Sequence, residues 1–132
     1  SAGKAEQKTQ FKPLEELSIL VVDDIRMNQV IINQMLKKLS ITPDMANNGL
    51  EAIKAFNSAN YDLVFMDCRM PEMDGFEATA YLREQAYTLP IIALTAGTTL
   101  EEREKCIQCG MDDILTKPYT AKDLKLMLEK WS

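Results

Sequence analysis

Short apolar runs alternate with amphipathic segments along most of the chain. A short second strand is predicted at 42–46, and the apolar runs themselves lie at 17–22, 63–66, 91–94 and 114–115. They are too short for helices and carry many β-branched residues, so each predicts a strand. The longest of them are almost entirely apolar, which is typical of parallel strands that are buried on both faces.

Between these runs, apolar residues recur at helical spacing, which predicts five helices. The first covers 27–39, and the fourth covers about 99–109 and ends at Gly110. Asn48, Asp74 and Thr120 are predicted to cap the second, third and fifth helices. The side chains expected to face inward are Ile31, Ile32, Met35, Leu36 and Leu39; Ala52, Ile53 and Phe56; Phe76, Ala80 and Leu82; Leu100, Cys106 and Ile107; and Leu124, Met127, Leu128 and Trp131.

Strands that alternate with helices predict a single α/β domain over 17–132. Because right-handed crossovers place helices on both sides of a parallel sheet, the expected architecture is a doubly wound five-stranded sheet between two helical layers. The polar segment 1–16 shows no sustained periodicity and predicts a linker or tail. We expect the domain to have been cut from a longer protein.

Composition narrows the classes of partner. The 132 residues are 46% hydrophobic and 27% charged, with a net charge of −5, which is typical of a globular domain. The negative charge argues against nucleic acid or an anionic membrane as a partner, because both favour a basic surface. No apolar run is long enough to span a membrane or to form a signal peptide, so a cytoplasmic domain is expected.

The three cysteines, Cys68, Cys106 and Cys109, are too few and of odd number for a disulfide framework. Cys106 and Cys109 form a C-x-x-C pair, but the chain contains no histidine to complete a typical zinc site. This pair also closes a helix rather than opening one, unlike most redox motifs. We therefore expect reduced, partly buried thiols in the last turn of the fourth helix.

Polar residues follow the predicted strands at their carboxyl ends. Asp23 and Asp24 follow the first strand, Asp67 the third, Thr95 the fourth and Lys117 the fifth. The carboxyl ends of parallel strands meet at one edge, where ligands bind in such sheets. Three neighbouring carboxylates repel one another, and a divalent cation would relieve the repulsion. Because these ligands are carboxylate oxygens, we expect the cation to be Mg²⁺.

These residues could receive a phosphoryl group, whose transfer requires mainly positioning and charge neutralisation. Asp67 would be the nucleophile, while the metal, Lys117 and the Thr95 hydroxyl would each contact one oxygen. Taken singly, each residue has an ordinary alternative. Asp67 could cap a turn, Lys117 could be a solvated charge, and Thr95 could be a strand-end hydroxyl; their joint occurrence at strand ends favours the chemical interpretation.

Three apolar residues fall outside the predicted inward stripe of the first helix. Ile25, Met27 and Val30 would leave apolar surface beside the acidic residues. This apolar patch is a candidate docking site for a partner. Scattered surface hydrophobes are also common, and the sequence leaves both interpretations open.

Four motifs resemble those of a known family in order and spacing: VVDD at 21–24, MDCRMPEMDG at 66–75, LTA at 94–96 and TKP at 116–118. Over 17–131 the chain is similar to the receiver domains of two-component response regulators. The resemblance implies a flavodoxin-like fold with sheet order 2-1-3-4-5. It also implies a cis proline, Pro118, after Lys117.

The same resemblance implies specific roles. Asp67 is similar to the phosphorylated aspartate, and Asp23, Asp24 and Asp67 to the acidic pocket that binds Mg²⁺ with the backbone carbonyl of Arg69. Thr95 is similar to the switch hydroxyl and Lys117 to the family's lysine. The implied partners are a histidine kinase or a histidine phosphotransfer domain.

One position departs from the family pattern. Many members carry Tyr or Phe three residues before the lysine, whereas this chain has Ile114. An aliphatic side chain cannot report phosphorylation by a ring rotation. The sequence GMDDILTKP at 110–118 and the polar linker are most similar to receivers fused to hybrid sensor kinases, which commonly pass phosphate onward and have less need of an output switch. The alternatives are a stand-alone or effector-linked regulator, a domain that has lost phosphorylation, and a magnesium phosphohydrolase, which usually has an acidic residue where Arg69 stands.

Overall fold

The structure, a computed structural model, describes residues 12–97 and 99–132. Within these residues a short 3₁₀ turn, Leu14–Glu16, precedes five strands and five α-helices. The strands are β1 (Ile19–Val22), β2 (Asp44–Ala46), β3 (Leu63–Asp67), β4 (Ile91–Thr95) and β5 (Asp113–Thr116). The helices are α1 (Arg26–Lys37), α2 (Gly49–Ser58), α3 (Gly75–Glu84), α4 (Leu100–Cys109) and α5 (Ala121–Trp131).

All five strands are parallel and lie in the order β2-β1-β3-β4-β5. This confirms the predicted doubly wound, flavodoxin-like α/β fold. The register aligns the carboxyl ends of neighbouring strands: Val22 lies opposite Met66, and Asp67 opposite Leu94. The residues that follow these strands are therefore brought to a common edge.

The core consists of two apolar clusters, one on each face of the sheet. Successive side chains of a strand point to opposite faces, so each strand supplies both clusters. Leu20, Val64 and Met66 pack with residues of α2, α3 and α4. Phe65 and Leu94 pack on the other face with residues of α1 and α5. Each large apolar side chain buried in this way contributes roughly 1.5–3 kcal/mol.

Four of the predicted inward side chains are exposed, so those predictions are wrong. Ile31 is 41% exposed, because the buried stripe of α1 consists of Gln29, Ile32 and Leu36. Leu100 and Ile107 are more than two-thirds exposed, because α4 turns Glu102 and Cys106 inward. Ala80 lies outside the buried stripe of α3, which contains Ala78, Thr79 and Leu82.

The cysteines lie as predicted. Cys106 and Cys109 are in the last turn of α4, and the Cys106 Sγ is 4.0 Å from the Cys68 Sγ. This separation is about twice the S–S bond length, so the thiols are unbonded. Burial raises the pKa of Cys109 to about 11 and that of Cys68 still further above its ordinary value. The thiols consequently remain protonated at neutral pH.

Part of the predicted linker contacts the domain. Residues 1–11 lie outside the described residues, whereas Leu14 packs against the α1 and α5 side of the core. The Nζ of Lys12 also lies 3.2 Å from Oδ1 of Asp62, which precedes β3. No helix within residues 12–97 and 99–132 combines the length and hydrophobicity that a membrane crossing requires.

Arg83 connects the loops at the amino edge of the sheet, a role that the sequence analysis missed. Its guanidinium donates hydrogen bonds to the carbonyl oxygens of Tyr87, Leu89 and Gly110 and to Oδ2 of Asp112, all at 2.8–2.9 Å. Gly110 adopts the left-handed conformation with φ of 108°, which a side chain rarely tolerates. A Cβ at Gly110 would also lie only 2.7 Å from the Cγ of Arg83.

We predict that Arg83→Met lowers the free energy of unfolding by about 2–3 kcal/mol, because it removes four hydrogen bonds and leaves three loop carbonyls without their donor. Urea denaturation would measure the change. Arg103→Met is the matched control, because Arg103 is exposed and donates no side-chain hydrogen bond to any residue that the structure describes. An equal loss of stability in both variants would contradict the proposed role of Arg83.

Candidate functional site

The candidate site lies at the carboxyl edge of the sheet. Asp23 follows β1, Asp67 ends β3, Thr95 ends β4 and Lys117 follows β5. Thr95 lies opposite Thr116 in the β4–β5 register, and the N–H of Lys117 donates to the Thr95 carbonyl oxygen at 2.8 Å. Four strand ends therefore position the polar side chains that the sequence analysis singled out.

Three carboxylates meet at this edge. One oxygen from each of Asp23, Asp24 and Asp67 lies within 4.8 Å of the others. Asp23 and Asp67 are buried, at 1% and 5% exposure, while Asp24 faces solvent. An all-oxygen set that is open on one side suits a hard divalent cation that keeps some of its water, such as Mg²⁺.

Nearby donors hold two of these carboxylates in place. The Nζ of Lys117 is 3.6 Å from Oδ2 of Asp23 and 3.6 Å from Oδ1 of Asp67. The N–H of Ile25 donates to the other Asp23 oxygen at 2.9 Å, which fixes the turn between β1 and α1. The Lys117 ammonium thus offsets part of the repulsion between two buried acids.

The ionisation of Asp67 reflects this competition. Burial raises the pKa of Asp67 to about 6, although the Lys117 ammonium acts to lower it. The charge of Asp23 raises this pKa further, and that of Asp24 adds a smaller effect. The backbone N–H of Arg69, 3.4 Å from Oδ1 of Asp67, acts in the opposite direction. In the absence of a cation, the folded domain therefore disfavours the charged form of Asp67.

The loop after β3 depends on a close backbone contact. A Cβ at Gly75 would collide with the carbonyl oxygen of Asp67, so a residue without a side chain is needed there. The Gly75 N–H donates to the Cys68 carbonyl oxygen at 3.2 Å. Asp74 caps α3 as predicted, and Glu77 completes a capping box with it. The Lys117–Pro118 peptide is cis, as the family resemblance implied.

Thr95 and Arg69 both contact a residue that the sequence analysis did not single out. The Thr95 hydroxyl donates to Oε2 of Glu102 at 3.0 Å, and Nη2 of Arg69 donates to Oε1 of Glu102 at 2.7 Å. The spacing of Thr99 and Glu102 resembles a capping box, which would direct the Glu102 side chain back along the helix. Instead this side chain lies buried beside the site.

Gln29 is a second residue that the sequence analysis missed. Its Nε2 donates to the Asp23 carbonyl oxygen at 2.6 Å and to Oδ1 of Asn47 at 2.8 Å. Gln29 is only 4% exposed, and it joins the turns that follow β1 and β2. Its position three residues before Ile32, on the buried stripe of α1, was the available sequence signal.

The apolar patch of Ile25, Met27 and Val30 is exposed beside the acidic cluster. Met27 is 65% exposed and Ile25 is 51% exposed, while Val30 is 38% exposed. Ile31 lies next to them and is also exposed. Ile114, by contrast, is half-buried and packs against the core on the α4 side of the sheet.

Comparisons with known proteins agree with this arrangement. The model of the response regulator receiver domain family matches residues 19–129. Histidine kinase 5 of Arabidopsis thaliana is 36% identical over an alignment of 161 positions that covers 99% of this chain and 18% of the plant protein. Sensor protein EvgS of Escherichia coli K12 is 42% identical over 128 residues, which cover 97% of this chain and 10% of that protein. The chain thus spans less than a fifth of either relative.

Solved structures show the same similarity. The receiver domain of sensor histidine kinase PA1611 from Pseudomonas aeruginosa PAO1, with magnesium coordinated in its active site cleft, has a TM-score of 0.81 and 38% identity. That match covers 87% of this chain and 96% of the other. The receiver domain of Ssk1 from Saccharomyces cerevisiae, in a co-crystal with the histidine phosphotransfer protein Ypd1, has a TM-score of 0.82 and 29% identity, covering 87% and 88%.

We predict that Asp67→Asn stabilises the metal-free domain at neutral pH. The folded-state pKa of Asp67 is about 6, above the ordinary value of 3.8. Folding therefore disfavours the carboxylate above that pKa, and the penalty disappears as the pH falls toward 4. In the presence of a metal chelator, the free energy of unfolding of Asp67→Asn should exceed that of the wild type by roughly 1–2 kcal/mol near pH 7.5 and by less near pH 5.

Thermal and urea unfolding at the two pH values would measure this difference. Glu104→Gln, which removes one charge from an exposed position on α4, is the control for net charge. A gain that is the same at both pH values, or that Glu104→Gln reproduces, would contradict the predicted origin in the buried Asp67 carboxylate.

Proposed function

The chain belongs to the response regulator receiver domain family, whose members accept phosphoryl groups in two-component phosphorelays, and from this membership we propose that Asp67 is its phosphoacceptor. The P–N bond of a phosphohistidine breaks as a carboxylate oxygen of Asp67 forms a P–O bond, which gives an acyl phosphate and a neutral histidine. The supporting observation is the position of the Asp67 carboxylate, at a strand end within 3.6 Å of the Lys117 ammonium.

The available oxygen ligands fit Mg²⁺. We propose that Asp23, Asp24 and Asp67 bind this ion and that the backbone carbonyl oxygen of Arg69 is a further ligand. The fit rests on three carboxylate oxygens within 4.8 Å of one another, two of them on buried residues. When bound, the ion supplies the positive charge that three acids and a phosphoryl group require. The similar domain with magnesium in its active site cleft supports this assignment.

Lys117 and Thr95 position the incoming group in this proposal. The Lys117 ammonium contacts both buried acids, so it can stay paired with Asp23 while it donates to a phosphoryl oxygen. The Thr95 hydroxyl, at the end of the adjacent strand β4, donates to another oxygen after it leaves its present acceptor. Both residues stabilise charge that develops as the P–O bond forms.

We propose that residues 17–132 are the receiver module of a hybrid sensor histidine kinase, preceded by a linker within 1–16. The similarity to a histidine kinase and to a sensor protein, both far longer than this chain, supports the proposal. The phosphoryl group would then pass to a histidine phosphotransfer protein or to water. The half-buried Ile114 suits onward transfer, because such transfer needs no aromatic switch. The proposed compartment is the cytoplasm, where kinases form phosphohistidine from ATP.

The apolar patch of Ile25, Met27 and Val30 is the proposed docking surface for this partner. It directly follows the acidic residues at the start of α1 and is exposed. A partner helix seated there would bring its histidine to the acidic edge. The receiver of Ssk1 in its co-crystal with a histidine phosphotransfer protein supports a partner of this class.

We predict that Asp67→Asn abolishes labelling by acetyl phosphate or phosphoramidate in Mg²⁺, with a loss of roughly a hundredfold or more, because the nucleophilic oxygen is replaced by an amide. Intact-protein mass spectrometry would detect the acyl phosphate. Asp24→Asn should raise the Mg²⁺ concentration required for labelling by about tenfold, since it removes one anionic ligand. Glu104→Gln should label like the wild type, and labelling of Asp67→Asn at the wild-type rate would reject the assignment.

We predict that Met27→Glu slows transfer from a phosphorylated histidine phosphotransfer protein by about tenfold, because a charge replaces an apolar contact at the docking surface. Labelling by acetyl phosphate should be unchanged, since that small donor needs no docking surface. Rapid-quench transfer assays would measure both rates. Ile107→Glu is the matched control, because Ile107 is 70% exposed on α4, across the sheet from α1. Equal slowing by both variants would contradict the docking role.

A further inference from the structure

A buried carboxylate on α4 joins two groups of the site. Glu102 is 8% exposed, and its two carboxylate oxygens have different partners. Oε2 accepts from the Thr95 hydroxyl at 3.0 Å, and Oε1 accepts from Nη2 of Arg69 at 2.7 Å. Thr95 ends β4, and Arg69 lies two residues after Asp67. Glu102 therefore contacts the end of β4 and the loop that follows β3.

Helix capping does not account for the orientation of this side chain. The Glu102 N–H donates to the Thr99 hydroxyl at 3.2 Å, which is the ordinary N-cap contact. The carboxylate, however, points into the protein rather than back to the N-cap residue. Gly97 also lies against this side chain, because a Cβ at Gly97 would lie 3.4 Å from the Cγ of Glu102. The Glu102 side chain is thus enclosed by Thr95, Arg69 and Gly97.

The hydrogen-bonding capacity of Thr95 makes this contact significant. A hydroxyl has one proton, and the Thr95 proton is donated to Glu102. The Thr95 oxygen in turn accepts from the N–H of Gly97 at 3.0 Å. Thr95 therefore cannot donate to a group on Asp67 while the Glu102 contact persists. The Arg69 guanidinium is likewise directed toward Glu102 on α4, and its Cζ lies 5.4 Å from the centre of the ring of Phe76 on α3.

We propose that Glu102 is a positioning residue that holds the Thr95 proton and the Arg69 guanidinium away from Asp67 until a phosphoryl group binds. This inference rests on the proposed function of Asp67. The anionic oxygens of the phosphoryl group compete with the Glu102 carboxylate for both donors. When the donors transfer to the phosphoryl group, Glu102 loses its partners.

Release of Glu102 has a consequence for α4. A buried carboxylate without hydrogen-bond donors is strongly unfavourable, so the first turn of α4 must move or carry the side chain to solvent. The buried face of α4 is small, consisting of Glu102 and Cys106. Phosphorylation would therefore displace this helix through a carboxylate, without the aromatic ring that position 114 lacks.

The binding of beryllofluoride, a phosphoryl mimic, in saturating Mg²⁺ tests the proposal. Glu102→Gln keeps the shape of the side chain but can satisfy only one of the two donors, and Glu102→Ala satisfies neither. Because wild-type Glu102 competes with the mimic for both donors, affinity should increase from wild type to Glu102→Gln to Glu102→Ala, by about tenfold in total. Isothermal titration calorimetry would measure beryllofluoride and Mg²⁺ affinities separately.

Several controls separate this role from others. Mg²⁺ affinity should stay within about twofold of wild type, and exposed Glu101→Gln should leave both affinities unchanged. Beryllofluoride affinity unaltered in Glu102→Gln, or an equal gain in Glu101→Gln, would overturn the proposal. The proposal would also be overturned if Glu102→Gln increased the beryllofluoride affinity as much in a Thr95→Val background as it does in the wild type. If Glu102→Ala does not fold, Glu102→Gln decides alone. A wild-type domain that does not bind beryllofluoride would instead refute the proposed role of Asp67.

A crystal structure of the beryllofluoride complex supplies an independent test. We expect the Thr95 hydroxyl within hydrogen-bonding distance of a fluorine and the Glu102 carboxylate outside that distance from Thr95. A complex in which the Thr95 to Glu102 hydrogen bond is intact would overturn the proposal.

Discussion

The mutual repulsion of three carboxylates at one edge of the sheet is the constraint on which the site depends. Asp23 and Asp67 are buried, and the Lys117 ammonium lies 3.6 Å from each of them. One ammonium cannot balance three acids, as the raised pKa of Asp67 indicates. The folded domain thus holds an excess of negative charge that a cation relieves, and the rigid sheet prevents the acids from separating.

The rest of the fold keeps these acids in place. Both faces of the sheet are covered by apolar clusters, so the strand ends have little freedom. Gln29 fixes the turn that carries Asp23, and Gly75 permits the backbone approach behind Asp67. Arg83 connects the loops at the opposite edge. The loop contacts of Arg83 therefore lie at the amino ends of the parallel strands, whereas the acidic residues of the site lie at the carboxyl ends.

The strands and the strand-end residues could be predicted because each depends on a local pattern. An apolar run that ends at Asp67 specifies both a buried strand and an exposed end, and parallel pairing brings such ends together. The strand order itself came from the family resemblance. Glu102 and Arg83 could not be predicted, because their patterns suggest a capping residue and a surface cation, and the helical spacing of Gln29 to Ile32 indicates burial but not its partners. Only the tertiary packing reveals the partners that bury them, and the same packing leaves Ile31 and Ile107 exposed.

The burial of Cys68 bears on the chemistry of the residue beside it. Cys68 directly follows Asp67, and its sulfur lies in the core, 4.0 Å from that of Cys106. A thiolate next to an acyl phosphate would attack the activated carboxyl carbon, break its bond to the phosphate oxygen, and form a thioester with release of inorganic phosphate. Because burial keeps this thiol protonated, the neighbouring sulfur is chemically inert. The acyl phosphate proposed at Asp67 would consequently be protected from the potential internal nucleophile one residue away.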